Sequence, residues 1–339
     1  MQLVHCSEFP STITMDAVTN LSGPISPTEQ LRPFDVRRDM GPVADLVELC
    51  FADTLDPEGK RFIQRMRSAA SNNGILSWAA VNAEWLNMPL SGYVWEQENI
   101  LVGNISLIPY NIEGRRSYLI ANVAVHPDYR RLGIARELTI QAMEHARKRG
   151  APGVWLHVRE ENDQALELYK SMGFAEHARR TTWISTTEPP QDELGIKSIF
   201  ITPQGYHWSI LWDWIQHNYP PEVTWHLPLN SKVLRSGLWG SIYRLFNRAR
   251  NRQWVAQHDD KTLAGLIWQA SGSYADLLWL AAPSDVDNKI IQTLLNHTRR
   301  QLGTQRLLKL DYPARHSVQG IRKGGFTPQQ TLIWMSVDF

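Results

Sequence analysis

The chain has 339 residues, 43% hydrophobic and 20% charged, which is the composition of an ordinary globular protein with room for two domains. Its formal net charge of +1 excludes the basic surface expected of a protein whose main role is nucleic-acid binding. Cys6 and Cys50 form neither a disulfide framework nor a metal-binding pattern, and no apolar run is long enough to cross a bilayer or act as a signal peptide. We therefore expect a cytoplasmic protein without a metal, a membrane or a nucleic-acid partner.

The beginning of the chain alternates between polar segments and patterns typical of strands and helices. Residues 1–30 are rich in Ser, Thr and Pro and predict an N-terminal extension. The following elements are predicted, in order: strand 32–37, a helix capped by Asp39 and running to Cys50, helix 57–67, strands 77–83, 90–97 and 100–109, and a hairpin turn at 111–116. This turn leads into an apolar central strand that ends at Val125.

A basic turn containing glycine links the central strand to the next helix. Pro127 ends the strand because proline donates no ladder hydrogen bond, and Gly133 lets the backbone approach a ligand without an intervening Cβ. The first N–H groups of a helix have no partner within it, and the helix dipole adds partial positive charge there. The turn therefore predicts a binding site for an anion such as phosphate, which the side chains of Arg130, Arg131 and Arg136 can pair with.

A second pattern follows over residues 154–174. It consists of a strand at 154–158, a helix that starts near Asn162, and a glycine at Gly173, before a strand at 181–185. Each residue alone also has a purely structural explanation, since Asn162 is a good helix N-cap and Tyr169 has the spacing of a core residue.

Together, the two patterns resemble the GNAT superfamily of acyl-CoA-dependent N-acyltransferases. The resemblance rests on Val123-Ala124-Val125-His126-Pro127, on Arg130-x-x-Gly133-x-Ala135, and on Asn162-x-x-Ala165-x-x-Leu168-Tyr169-x-x-x-Gly173-Phe174. It implies an α/β (α+β) fold with the element order β-α-α-β-β-β-α-β-α-β. The sheet would be mixed and mostly antiparallel, flanked by helices, with one pair of parallel strands that splay apart around the cofactor.

The same resemblance implies roles for individual residues. Acetyl-CoA would be the co-substrate, with its pantetheine arm along the central strand and its phosphates on the turn. The implied cofactor-binding residues are Val123, Ala124, Val125, Arg130, Arg131, Leu132, Gly133, Ile134, Ala135, Arg136, Asn162, Ala165 and Tyr169. Tyr169 would also protonate the departing sulfur, and the Val123 N–H would lie near the acyl oxygen. The general base stays open among Glu96, Glu98, Glu113, Asn122, His126 and His157.

The chain then changes character and repeats the same order of elements. An acidic, Pro-rich stretch predicts a linker at 187–195 between a GNAT domain at 31–186 and a second, GNAT-like domain at 196–339. The following elements are predicted after the linker: strand 197–202, helices 207–218 and 231–248, strands 253–257, 263–269 and 276–282, helix 286–300, strand 306–311, helix 315–323 and strand 332–337.

The second copy lacks the residues that carry the resemblance. Residues 284–288 contain no glycine and add two carboxylates, which would repel a diphosphate. Ile321 stands in the place of Tyr169, and Ala314 in the place of Asn162. We therefore expect one acyl-CoA per chain, bound to the first copy. The second copy could complete the acceptor pocket, stabilise the first copy, or be inert.

Two functions from different classes follow from this reading. The first is an N-acyltransferase that moves an acetyl group from acetyl-CoA to a primary amine of a small molecule or peptide; the second is a regulatory module that binds acyl-CoA with weak catalysis. A P-loop nucleotide site is excluded because no Gly-Lys-Ser/Thr follows the turn. The acceptor, the acyl length, and the choice between monomer and homodimer are left open.

Overall fold

The computed structural model describes residues 30–71, 91–112, 114–188, 200–203, 208–224, 251–259 and 261–339. The predicted extension before residue 30, the strand at 77–83, the linker from 189 onward, the helix at 231–248 and the base candidate Glu113 lie outside these residues.

The first half begins with a short strand and two helices and continues as a strand-rich unit. Its elements are β1 (Leu31–Pro33), α1 (Val36–Phe51), α2 (Pro57–Ala70), β2 (Gly92–Gln97), β3 (Ile100–Ile112), β4 (Arg115–Val125), α3 (Ile134–Lys148), β5 (Gly153–Arg159), α4 (Asp163–Ser171) and β6 (Ala175–Ser185). Within the described residues, the order β-α-α-β-β-β-α-β-α-β is confirmed.

The second half repeats this order less completely among the described residues. Its elements are β7 (Phe200–Pro203), α5 (Trp208–Asn218), α6 (Pro221–Thr224), β8 (Asn251–His258), β9 (Lys261–Gln269), β10 (Ala275–Ala281), α7 (Asn288–Leu302), β11 (Leu307–Pro313), α8 (Val318–Lys323) and β12 (Phe326–Asp338).

The start of α1 differs from the prediction. The helix is capped by Asp35, whose carboxylate accepts a hydrogen bond from the Arg37 N–H at 2.9 Å, so the predicted strand at 32–37 ends earlier and the cap at Asp39 is wrong. Asp39 lies inside the helix and is 1% exposed. It accepts hydrogen bonds from both terminal nitrogens of Arg32, at 2.7 and 2.8 Å. The aspartate that sequence rules assign to the helix cap therefore forms a tertiary ion pair instead.

The twelve strands of the described residues form one sheet, in the order β1-β2-β3-β4-β5-β12-β6-β11-β10-β9-β8-β7. The pairs β4–β5 and β10–β11 are parallel, and the other neighbours are antiparallel. The predicted fold class, two GNAT-like units with mixed and mostly antiparallel sheets flanked by helices, is confirmed.

The two halves exchange their last strands. Strand β12 of the second half lies between β5 and β6 of the first, and β6 of the first half lies between β12 and β11 of the second. Strand β6 is 11 residues long and β12 is 13 residues long. The predicted segments, at 181–185 for β6 and at 332–337 for β12, are much shorter. Because both partners of each strand are distant in sequence, local patterns could not define their ends. The predicted domain boundaries stay predictions, and the halves they delimit share one sheet.

Helices pack against the sheet and enclose separate hydrophobic cores. One core joins α3 and α4 to the first half of the sheet, through residues such as Leu138, Leu156 and Tyr169. Another joins α1 and α2 to β2 and β4. The third fills the second half, around Leu280, Leu294 and Tyr312. Strand β4 therefore lies between two helical layers, with α1 and α2 against one face and α3 and α4 against the other.

Candidate functional site

The parallel strands β4 and β5 pair only over part of their length. Their register runs from Tyr118–Val154 to Ile120–Leu156, whereas β4 continues to Val125 and β5 to Arg159. The strands therefore separate beyond Ile120, which is the splayed pair that the resemblance implied. An extended molecule can enter such a split and bond to the free edge of β4 in the manner of an added strand.

A β-bulge interrupts β4 inside the split. Ala121 pairs with Ser106 and Ala124 pairs with Asn104, so two β4 residues, Asn122 and Val123, lie opposite a single β3 residue. Asn122 adopts a positive φ of 50°. The register shift at Asn122 and Val123 interrupts the regular ladder between β3 and β4.

The turn after β4 presents backbone N–H groups to solvent. Gly133 is the N-cap of α3, with a φ of 84° in the left-handed region and no side chain to cap the helix. Arg131 also has a positive φ, of 67°, and Leu132 is 67% exposed. The Arg136 N–H is already bonded to the Gly133 carbonyl at 2.9 Å. The N–H groups of residues 131–135 remain the candidate phosphate donors of the turn.

The arginines of the turn have different partners. The Arg130 Nε donates to the Val125 carbonyl at 3.2 Å, and the Cys50 thiol donates to the same oxygen at 3.3 Å. Burial raises the pKa of the Cys50 thiol, against the opposing effect of Arg130, so the thiol keeps its proton. Arg136 donates to the Ser171 hydroxyl at 2.7 Å, which links α3 to α4. Arg130 and Arg136 thus brace the site, and Arg131 is exposed at its rim.

Gly103 of β3 allows α3 to sit directly on the sheet. A Cβ at this position would lie 2.9 Å from Ile134 Cγ2 and 3.1 Å from Leu138 Cδ1, closer than packed side chains approach one another. In the sequence Gly103 is only an interruption of a strand. In the structure it brings the first turn of α3 against the β3–β4 ribbon.

The second motif lies on α4. Asn162 caps this helix, with its side-chain oxygen accepting from the Ala165 N–H at 3.1 Å. Asn162 is therefore the helix N-cap that its residue type predicted. Its side-chain oxygen is used in the cap, and its amide nitrogen is the group left to donate to a ligand. Tyr169 is 6% exposed and packs edge-on against Phe174, in the same cluster as Val123 and Val125. Burial raises the pKa of Tyr169, so the phenol stays protonated at neutral pH.

The structure separates the described candidates for the general base. Glu96 is ion-paired with Arg32 and Arg38, and the hydrogen bond from Arg32 keeps the pKa of Glu96 below its usual value. Glu98 lies in the β2–β3 turn with a positive φ. His126 begins the turn after β4 and packs against Tyr129.

His157 is the candidate next to the point where β4 and β5 separate. It directly follows Leu156, the last β5 residue paired with β4, and its side chain is exposed. The protein around the ring disfavours the charged imidazolium and, together with Arg159, lowers the pKa of His157 to about 4. Its ring lies 5.1 Å from that of Trp334 on β12.

The second half contributes to this side of the sheet. Val223 of α6 packs with Tyr110, Leu119 and Trp334 in one cluster. On the other flank, Arg159 donates to the Thr54 carbonyl at 2.6 Å, and Lys309 pairs with Glu58 at 3.3 Å. Elements of both halves therefore contact one another on either side of the central strands.

In the second half, side chains bridge the equivalent split. The β10–β11 register ends at Leu278–Leu310, and the Tyr219 hydroxyl accepts a hydrogen bond from the Leu280 N–H at 3.0 Å. The Asn218 amide donates to the Ala282 carbonyl at 2.9 Å and to the Tyr312 hydroxyl at 3.3 Å. Tyr219 is 4% exposed. The end of α5 thus occupies the edge of β10 that a pantetheine arm would use.

The helix N-terminus of the second half is capped from within the chain. Asp287 is the N-cap of α7, and its carboxylate accepts from the Lys289 N–H at 2.9 Å. The Val286 N–H is bonded to the Pro283 carbonyl at 3.3 Å. Ile321, which replaces Tyr169, is fully buried in the core.

Comparison with known proteins agrees with this geometry. The sequence pattern of the acetyltransferase (GNAT) family matches residues 61–174, which contain the bulge, the turn and the second motif. Residues 61–174 therefore carry the sequence pattern of the GNAT family. GNAT proteins are N-acetyltransferases that use acetyl-CoA.

Two groups of curated acetyltransferases match part of the chain. The [ribosomal protein bS18]-alanine N-acetyltransferase of Escherichia coli (strain K12) is 40% identical over 73 residues, which are 22% of this chain and 49% of that protein. The mycothiol acetyltransferase of Thermobifida fusca is 48% identical over 52 residues, 15% of this chain and 16% of that protein. The chain thus spans at most about half of the length of either relative.

Solved structures match nearly the whole chain in fold. A GCN5-related N-acetyltransferase from Sphaerobacter thermophilus has a TM-score of 0.56 and 14% identity, covering 91% of this chain and 95% of that one. A GCN5-related glucosamine N-acetyltransferase region of a fungal multi-domain β-N-acetylglucosaminidase has a TM-score of 0.57 and 13% identity, covering 91% and 38%. The GNAT-like architecture therefore extends over both halves.

The described residues contain no group of three or more His, Cys, Asp or Glu side chains arranged to hold a metal ion. None of the helices described there is both long and apolar enough to cross a membrane.

Proposed function

We propose that the chain transfers an acetyl group from acetyl-CoA to a primary amine, and that the reaction takes place in the split between β4 and β5. The observation that carries the proposal is the coincidence, in one half, of a splayed parallel pair, a bulge and an uncapped helix N-terminus. The split of the second half is bridged by side chains, so we propose one acyl-CoA site per chain.

The backbone of this half provides the binding groups. The N–H groups of residues 131–135 would hold the diphosphate, aided by the dipole of α3. The edge of β4 at Val123 to Val125 would bond the pantetheine arm, and the Asn162 amide would donate to it. Ala124, Ala135 and Ala165 keep side chains short along this path. Acetyl-CoA supplies the activated acyl group.

In the reaction the amine nitrogen attacks the thioester carbonyl, the new C–N bond forms, and the C–S bond breaks. The Val123 N–H donates to the carbonyl oxygen as it gains negative charge. The Tyr169 hydroxyl gives its proton to the leaving sulfur, which suits a phenol that burial keeps protonated. The amine loses one proton to solvent as the C–N bond forms, and Tyr169 takes one proton back from solvent, so that the hydroxyl is restored for the next turnover.

The decisive experiment compares two tyrosine variants by a thiol-release assay with acetyl-CoA. Tyr169→Phe should lower kcat by about 10²-fold, as expected for loss of a general acid, with an unchanged dissociation constant for CoA. Tyr118→Phe is the matched control: Tyr118 is a buried member of the same cluster, on the paired part of β4. Equal turnover in the wild type and Tyr169→Phe would refute the assignment.

The acceptor panel should include peptides as well as small-molecule amines. The names of the two relatives refer to a ribosomal-protein alanine and to mycothiol, which belong to these two classes. Binding of acetyl-CoA without turnover on any amine would instead favour a regulatory module. The cytoplasmic location, the monomer or homodimer state and the absence of nucleic-acid and membrane partners stay predictions.

A further inference from the structure

We propose that Asn104 is a positioning residue: its side-chain amide holds the β4 bulge in shape and so aims the Val123 N–H at the acyl oxygen. The inference rests on the proposed function and deepens it, because it names a residue outside both sequence motifs that would set the geometry of the oxyanion donor.

Because the bulge interrupts the ladder, the Asn122 carbonyl needs a hydrogen-bond partner outside it. Where Asn122 and Val123 lie opposite one β3 residue, the regular exchange of ladder hydrogen bonds is interrupted. Asn122 adopts a positive φ of 50°, a conformation that asparagine tolerates better than most residues. A buried carbonyl in such a place is normally bonded to another group of the protein.

Asn104 supplies the missing partner. Its side-chain nitrogen donates to the Asn122 carbonyl at 2.8 Å, and the residue is 1% exposed. The Ser106 hydroxyl lies 3.4 Å from the amide nitrogens of both Asn104 and Asn122. The Asn122 carbonyl belongs to the same peptide unit as the Val123 N–H. Fixing that oxygen therefore fixes the direction of the N–H on the opposite side of the planar peptide.

The second half provides an internal comparison. Ile120 of β4 and Leu278 of β10 are the last residues of their parallel pairs. The antiparallel partner of Ile120 is Leu107, and Asn104 lies three residues before it. The antiparallel partner of Leu278 is Trp268, and Gly265 lies three residues before it. The β9–β10 register runs without a shift from Leu277 to Ala281, so this ribbon has no bulge. A Cβ on Gly265 would lie 2.5 Å from Leu211 Cδ2 of α5. The amide and the bulge are thus present together in one half and absent together in the other.

The first test replaces the donor by an acceptor of the same shape. In Asn104→Asp the carboxylate cannot donate to the Asn122 carbonyl, so the bulge loses its clamp. We expect kcat to fall about 10- to 100-fold, a part of the effect of deleting an oxyanion donor outright. The dissociation constant for CoA, measured by calorimetry, should stay within about 3-fold, because CoA has no acyl oxygen and its phosphate turn is untouched.

A second test perturbs the bulge without changing Asn104. In Asn122→Val a β-branched residue must adopt a positive φ, which it strongly disfavours, whereas Asn122→Gly accepts that conformation. We expect Asn122→Val to lose at least 10-fold more kcat than Asn122→Gly. Asn296→Ala, at a 3% exposed position in α7 of the second half, controls for the loss of a buried asparagine and should keep wild-type kcat.

The outcomes are distinguishable. A kcat for Asn104→Asp within about 3-fold of the wild type would overturn the inference. So would an equal loss of kcat and of CoA affinity, because a merely structural role predicts that pattern. If Asn104→Asp does not fold, the two Asn122 variants decide, and equal kcat values for them would overturn the proposal. A wild type without turnover on any amine would refute the proposed function instead.

Discussion

The two halves of this molecule share one fold and differ in what occupies it. Both contain a parallel strand pair that separates, β4–β5 and β10–β11, and both place a helix beyond the split. In the first half the split has an open edge, and in the second the side chains of Asn218 and Tyr219 bridge it. The second half thus keeps the fold, but its own side chains fill the place that a ligand would occupy.

The helix N-termini show the same contrast in electrostatic terms. Gly133 leaves the start of α3 without a side-chain cap, so an external anion can bind its N–H groups. Asp287 provides the start of α7 with a carboxylate of its own. A helix that already carries an internal anion gains little from a phosphate and repels it.

The strand exchange connects the two halves of this comparison. Arg180 of β6 is 3% exposed, forms an ion pair with Asp311 of β11, and donates to the Asn218 carbonyl at 2.7 Å. Its guanidinium lies 4.9 Å from the centre of the Tyr219 ring. A strand of the first half thus helps to hold the side chains that fill the second, and the second copy is built into the first.

The largest effect is expected when the first helix N-terminus is made like the second. Gly133→Asp would place a carboxylate where the diphosphate binds and should raise the dissociation constant of acetyl-CoA at least about 100-fold, equivalent to roughly 3 kcal/mol. The matched variant Asp287→Ser keeps a capping side chain in the second half and should leave the affinity unchanged. Calorimetry measures both. Similar affinities for Gly133→Asp and the wild type would show that the turn does not bind the diphosphate.

A smaller effect is expected from removing one hydroxyl in the second half. Tyr219→Phe would leave the buried Leu280 N–H without its partner and should reduce the free energy of unfolding by about 1–3 kcal/mol. The dissociation constant and the stoichiometry of one acetyl-CoA per chain should not change, because Asp287 still caps α7. Denaturant unfolding and calorimetry test the two statements. A second equivalent of bound acetyl-CoA would contradict the account of the filled half.

The smallest effect is expected at His157, which follows the last paired residue of β5. The residue at the equivalent place in β11 of the second half is Asp311. The pKa of His157 is lowered from 6.5 to about 4, so between these values the folded state binds fewer protons than the unfolded state. Stability should therefore fall as the pH drops from 6.5 towards 4. The thermal midpoint of the wild type should decrease more over this range than that of His157→Gln. Parallel curves of thermal midpoint against pH for the two proteins would contradict this expectation. Because the His157 side chain is exposed, solvent limits the size of the effect.

Much of the first half could be predicted from local sequence. Glycine at 133, the proline at 127 and the spacing of Asn162 and Tyr169 identify the turn and the second motif, because each depends on a few neighbouring residues. Asp39 shows the limit of such rules: it has the chemistry of a helix cap, and only its pairing with Arg32 makes it a buried partner instead. Asn104 and Gly103 carry no signal in the sequence, since their meaning depends on what faces them across the sheet.

The sequence by itself determined the order of the elements, the family of the first half and the absence of its key residues from the second, because these features are short-range patterns of residue type. The tertiary structure alone decided that β6 and β12 change places, that Tyr219 fills the second split, and that an amide from β3 clamps the bulge in β4. The physical reason is that backbone hydrogen bonds in a sheet join residues far apart in the chain, so partner and register follow from packing as a whole.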